Sequence, residues 1–245
     1  MATRVIDDSK LQDIAVAIQG KDSGGTMTVD EMPGRIQAIP TQDNALLNSL
    51  INRSITSIEN SEVTSIGVSA FRDCSNLTSV SFPNVTSIGV SAFRDCSNLP
   101  SVSLPNATSI GVSAFYSCSN LMSVSLPNAT SIGASAFRDC SNLTSVSFPN
   151  VTSIGNSAFQ HCSNLPSVSL PNATSIGANA FYSCSNLSIL ILGKRAALSS
   201  SNAFSGAGNA IIYVQPEDLT WYSTATNWSA LYADGRVKSI EELPT

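Results

Sequence analysis

The chain is short of most things that catalysis and electrostatic recognition require. Of 245 residues one is a histidine, His161, and only 12% are charged. Twelve Lys and Arg stand against 17 Asp and Glu, a net charge of −5, so there is no basic stripe for nucleic acid or anionic lipid. Between Ile55 and Asn186 the only charged side chains are Arg72, Arg94, Arg138, Glu59, Glu62, Asp73, Asp95 and Asp139. No apolar run is long enough to span a bilayer, so membrane insertion is not expected. The opening MATRVIDDSKLQDIAVAIQG places acids and polar residues where the apolar core of a secretion signal would sit. The expectation is cytoplasmic synthesis and arrival outside the cell by another route.

What the chain has in quantity is repetition. Cys74, Cys96, Cys118, Cys140, Cys162 and Cys184 recur every 22 residues, each inside a near-identical phrase such as Leu77–Asn98. A period of this size predicts stacked coils, none of which buries its apolar face alone. The cysteines follow the repeat and not the short spacings of a zinc or disulfide framework, which favours buried thiols.

Aligned on the period, the columns divide by demand. The glycine column, with Gly89 and Gly111 as its type members, calls for a backbone corner with positive φ or one too close to its neighbour for a side chain. The column of Asn98 and Asn120 suits a turn whose side chain bonds the backbone. Phe93 and Phe115 belong to the bulky core column, and Cys96 and Cys118 lie beside it. Leu77, Val80 and Phe82 have L-x-x-L-x-L spacing, read as a strand; Val85–Ile88 is a second short extended piece, and Val90–Cys96 a short helical turn.

Chemistry finds little purchase. His161 occupies a column otherwise filled by Asp73, Asp95, Ser117, Asp139 and Ser183, read as exposed and lacking a fixed partner. A nucleophile with its base and orienter needs non-repeated groups converging in a pocket. The glycine-rich stretch Gly20–Thr26 lacks phosphate-loop spacing and reads as a linker. No catalytic residue, metal ligand or cofactor is expected. The informative positions are outward columns where copies differ: Thr78, Pro100, Met122, Thr144 and Pro166 in one, and Arg72, Arg94, Tyr116, Arg138, Gln160 and Tyr182 in another. These are candidates for a recognition surface, with drift on a free surface as the simpler account. Thr78/Phe82/Val85 and Thr144/Phe148/Val151 mark a duplicated three-coil block.

The phrase TSIGVSAFRDCSNL at Thr86–Leu99, repeated in the other copies, resembles the BspA-like leucine-rich repeat family. That resemblance implies a β-rich solenoid of 22-residue leucine-rich repeats, each a strand plus a short helical turn, and members found on bacterial surfaces in adhesion or in phage and prophage tail regions. The Ser/Thr-rich copies here are most similar to the phage-associated group. Three parts are expected: a helical docking and capping module at 1–54, six repeats at 55–186, and a degenerate last coil with an aromatic cap at 187–245. In the first part Ser9 and Gln12 form a capping box, Thr28 and Glu31 begin a second helix, and Asn44–Asn52 form a third. In the last, Trp221, Tyr222, Trp228 and Tyr232 are expected to seal the final coil, or to offer an aromatic platform to a ligand.

The reading is a non-enzymatic attachment protein of a phage tail or virion. Its N-terminal module would dock to other virion or fibre subunits, and its array would meet a host cell-surface glycan or protein. A homo-oligomeric fibre or decoration layer, or a bacterial surface adhesin, is the alternative.

Overall fold

The computed structural model describes residues 53–244. The expected helices around Ser9, Thr28 and Asn44–Asn52, and with them all but the end of the docking module, lie outside the described residues.

The 22-residue period folds as a β-solenoid of about eight turns. In the coil that begins at Leu77, a long strand Ser79–Ser81 is followed by the Pro83-Asn84 turn and a short strand Ser87–Ile88. Paired strands run parallel and match the same position one coil on, Ser57 with Ser79 and Ser87 with Ser109. The alternation of the strand sequence sets its faces: Val102 and Leu104 are buried, whereas Ser101 and Ser103 are exposed. Seven short strands, from Ser65–Ile66 to Ala197–Leu198, form one unbroken sheet.

The long strands do not. Their ladder is interrupted between Ser79–Ser81 and Ser101–Ser103, and again between Ser145–Ser147 and Ser167–Leu170. Both interruptions fall where proline fills the variable column, at Pro100 and Pro166. Other members of that column donate their N–H to the coil before: Thr78 to Thr56 O at 2.8 Å, Met122 to Pro100 O at 2.8 Å and Thr144 to Met122 O at 2.9 Å. Proline has no N–H to give, so the ladder breaks there. Part of the variation in this column is therefore written into the sheet.

The core is a set of columns. Phe71, Phe93, Phe115, Phe137, Phe159, Phe181 and Phe204 stack with centroids 5.1 to 5.6 Å apart and planes within 14° of parallel. Beside them each thiol from Cys96 to Cys184 donates to the carbonyl of a phenylalanine in the preceding coil, Cys118 to Phe93 at 3.1 Å for example. All six thiols are free and buried.

The glycine column lies against itself. A Cβ on Gly111 would stand 2.6 Å from the Gly89 carbonyl, and neither residue has positive φ. Of the two readings of this column, close approach is the correct one. Positive φ appears elsewhere, at Ser91 (55°) and Asp95 (60°) and at their equivalents in the other coils. This is also why Val90–Cys96 is not the helical turn that was expected. Alternate amides of the segment leave it for the next coil, Ser91 to Val112 O, Phe93 to Ala114 O and Asp95 to Tyr116 O. The remaining amides close tight i to i−3 turns, as Arg94 does on Ser91 O. A helix would need both sets for itself.

Asparagine serves in two ways. Asn120 Nδ2 donates to Asn98 Oδ1 at 3.2 Å, a side-chain ladder along the stack where a backbone bond was expected. The backbone-bonding asparagines are those after proline, such as Asn106, which donates to Pro83 O at 2.8 Å.

The far end is closed by chemistry as well as bulk. Two short helices, α1 (Leu219–Thr224) and α2 (Ser229–Ala233), lie against the last coil, and Val237–Ser239 adds a parallel strand to Ile211–Val214. Tyr222 OH donates to Lys194 O at 2.8 Å and accepts from Ala196 N; Trp228 Nε1 donates to Ala196 O at 2.7 Å; Asn227 donates to Leu198 O. These bonds satisfy backbone groups at the edge of the short-strand sheet. Tyr222 and Trp228 are fully buried, but Trp221 is only half-buried and Tyr232 is exposed. The cap uses two of its four aromatics as seals.

Candidate functional site

Because core columns are fixed by packing, any site that distinguishes one coil from another must lie on outward columns. The two variable columns are on different segments. Thr78, Met122, Thr144 and Pro166 are exposed and Pro100 half-buried, all just before the long strands. Arg72, Arg94, Tyr116, Arg138, Gln160 and Tyr182 stand on the turn segment; Tyr182 is exposed and the others are half-buried.

The turn segment carries most of the charge in the array, and from Asp95 to Tyr182 its side chains form a connected series. Arg53 pairs with Asp73. Arg94 lies 3.1 Å from Asp95, and its guanidinium stacks over the Tyr116 ring at 4.7 Å from the centroid. Arg138 approaches the same ring at 5.7 Å and lies 3.4 Å from Asp139. Asp139 in turn bonds His161 Nδ1 at 2.7 Å, and the His161 ring meets Tyr182 edge-on at 6.0 Å. Planar cations over an aromatic face are attractive, and each member orients the next.

His161 thus has a fixed partner, contrary to the expectation from sequence, and its column is half-buried, not free. The column is instead governed by its backbone. Asp73, Asp95, Ser117, Asp139, His161 and Ser183 all have φ between 56° and 62°, a conformation that Asp, Asn and His tolerate better than bulky residues. In the worn coil that follows, Gly206 takes up this role at φ 71°, against Ser183.

The same segment carries a ridge that the sequence alone did not single out. Val68, Val90 and Val112 stack on consecutive coils, each between 44 and 47% exposed. The equivalent positions further along are Ala134, Asn156 and Ala178, so the ridge is confined to the N-terminal half of the array. The signal was a β-branched residue directly after the glycine, outside any strand. The turn face therefore combines an apolar edge with an arginine–tyrosine series.

The interior thiols are poor nucleophiles. Burial pushes Cys74 and Cys184 up to about 12, and holds Cys96, Cys118, Cys140 and Cys162 well above the usual value. Among the described residues no group of three His, Cys, Asp or Glu could hold a metal ion. No described helix is long and apolar enough to cross a membrane.

The sequence profile of the BspA type leucine-rich repeat region matches in six copies, over residues 43–163 and 130–226. No curated protein matches the chain. Among solved structures it is similar to a leucine-rich repeat protein of T. pallidum, at 34% identity and TM-score 0.50, over 55% of this chain and 65% of that one. A leucine rich cell surface protein from Faecalibacterium prausnitzii is 22% identical with TM-score 0.46, covering 73% and 65%. A leucine-rich repeat protein from Bacteroides ovatus is 23% identical with TM-score 0.39, covering 65% and 60%. The chain thus spans 60 to 65% of the length of these solved relatives.

Proposed function

This chain belongs to the BspA-type leucine-rich repeat family, and from that premise we propose that it is a non-enzymatic attachment protein acting at a surface outside the cell, with the turn face as its recognition surface. The observation that carries the reading is the juxtaposition on one segment of the exposed Val68–Val90–Val112 ridge and the Arg94–Tyr116–Arg138 series. Aromatic and arginine side chains next to exposed apolar surface are the usual anchors of an interface. Their variation between coils gives an otherwise uniform lattice a defined register.

Adhesion of the kind seen on bacterial surfaces is preferred to the tail-fibre role expected from the sequence. Placement in a phage tail draws on the Ser/Thr-rich character of the copies and on the character of the opening segment, and no geometric feature of the array favours it. In this reading residues 1–54 dock the chain to its carrier, and the partner is a glycan or protein of a host cell surface.

The test is adhesion of purified protein to a panel of epithelial cells and matrix-coated surfaces. A Tyr116→Ser/Tyr182→Ser variant should lose most of its saturable binding, whereas Met122→Ser, on the other segment, should bind as the parent does. Equal binding by all three would refute the turn face as the site.

A further inference from the structure

The cap contains a second, separate site. Of its four aromatics Tyr222 and Trp228 are consumed in sealing the sheet edge, but Trp221 is not. Its indole stands edge-on to Tyr222, 4.9 Å between centroids at 89°. It forms one wall of a half-open cavity of about 460 Å³, whose other walls are Ala197 and Leu198 of the terminal short strand, Thr224 at the end of α1, and Ala225 and Thr226 after it. A volume in this range suits a small-molecule ligand.

The lining selects the class of ligand. No charged side chain contributes to it, which disfavours phosphates, carboxylates and amines, since an ion would lose its hydration without a counter-charge. The wall is amphipathic: the Trp221 indole, Leu198 and two alanines on one hand, two threonines on the other. Thr224 Oγ1 turns back to the Trp221 carbonyl at 3.4 Å, and Thr226 is exposed at the rim. A neutral ring with an apolar C–H face and equatorial hydroxyls matches both parts, the C–H face against indole and the hydroxyls toward threonine and water.

We propose that the Trp221 cavity is a binding site for a neutral pyranose, as a single residue or the end of a glycan chain. The site lies on the cap, away from the turn face, so it does not rest on the attachment reading and its failure would leave that reading intact.

The experiment is saturation-transfer NMR and tryptophan-fluorescence titration of the full chain with the methyl glycosides of glucose, galactose, mannose and N-acetylglucosamine, with cyclohexanol as an apolar control. At least one glycoside should give saturable transfer from the indole and a shift of Trp221 emission at millimolar concentration. Trp221→Ala should weaken it about tenfold or more. Thr226→Val, at an exposed position that leaves the core untouched, should weaken it severalfold and guards against loss of fold in the first variant. Absence of saturable binding by every glycoside, binding of cyclohexanol as tight as any sugar, or full affinity in a folded Trp221→Ala protein would each overturn the proposal.

Discussion

A side chain on Gly111 would place its first carbon 2.6 Å from the carbonyl carbon and oxygen of Gly89, one coil below. The same contact recurs at Gly133, Gly155 and Gly177, so these coils close at the short sheet only because none of them has a Cβ at this point; Ser199 takes the position only in the terminal coil. Gly111→Ala should therefore already destabilise, and Gly111→Val should cost at least about 1 to 3 kcal/mol. The neighbouring Val112→Ala, on the exposed ridge, should stay within about 0.5 kcal/mol of the parent. Thermal unfolding of the three variants checks this, and equal melting temperatures would contradict it.

The proline interruptions lead to a second expectation. Thr144 donates both N–H and Oγ1 to Met122 O, at 2.9 and 3.1 Å. Thr144→Pro should add a third break in the long-strand ladder and cost about 1 kcal/mol or more. Thr144→Met keeps the N–H, as Met122 does, and should be nearly neutral. Hydrogen exchange of the amides in 145–147 should speed up only in the proline variant.

The thiol column makes stability depend on alkaline pH. The folded state raises the cysteine pKa, to about 12 at Cys74 and Cys184, by burial. Between the ordinary thiol value and the raised one, the unfolded chain has lost protons that the folded chain retains. Stability is thus fully present below about pH 8.5 and falls as pH rises, by up to about 1.4 kcal/mol per unit for each thiol. Melting temperature should drop steeply between pH 9 and 11, and more gently in Cys118→Ala. In native protein at neutral pH a thiol reagent should label few cysteines, and all six after denaturation. A flat alkaline profile or rapid native labelling would count against the buried column.

At the cap, Trp228→Phe retains most of the packing but leaves the Ala196 carbonyl without its donor. The cost should be about 1 to 3 kcal/mol. Tyr222→Phe removes a donor and an acceptor from the same edge and should cost at least as much, with end-to-end association as a second symptom. Calorimetry and light scattering together distinguish this from an aromatic seal that works by bulk alone, for which both variants would resemble the parent.

The architecture was legible because most inward columns repeat: Phe93, Ile88, Ala92 and Cys96 declare a core by recurring at one spacing, while Phe82 and Val85 alternate only with other apolar residues. The site was less so. His161 looked unpartnered because Asp139, its partner, is one coil away, 22 positions in sequence. Its column looked tolerant because the constraint there is on the backbone, which takes positive φ in every coil whether Asp, Ser or His stands at the position, and a mixed polar column reads as surface drift. The Asn98–Asn120 ladder was missed for a similar reason: a turn residue bonding its own backbone and one bonding its copy have the same sequence. The ridge of Val68, Val90 and Val112 was not singled out because it shows only when the exposure of three successive coils is seen together. Close approach at Gly89, against positive φ, could be decided only with the neighbouring coil in place.

The claim that matters most is that the turn face makes the contact. Hydroxyl-radical footprinting of the protein bound to an adhesive surface, compared with the free protein, reads both variable columns at once. The account predicts protection of Val90, Val112, Tyr116 and Tyr182, with Met122 on the long-strand segment oxidised as fast as in the free chain. Protection of Met122 with the turn-face residues unchanged would contradict it.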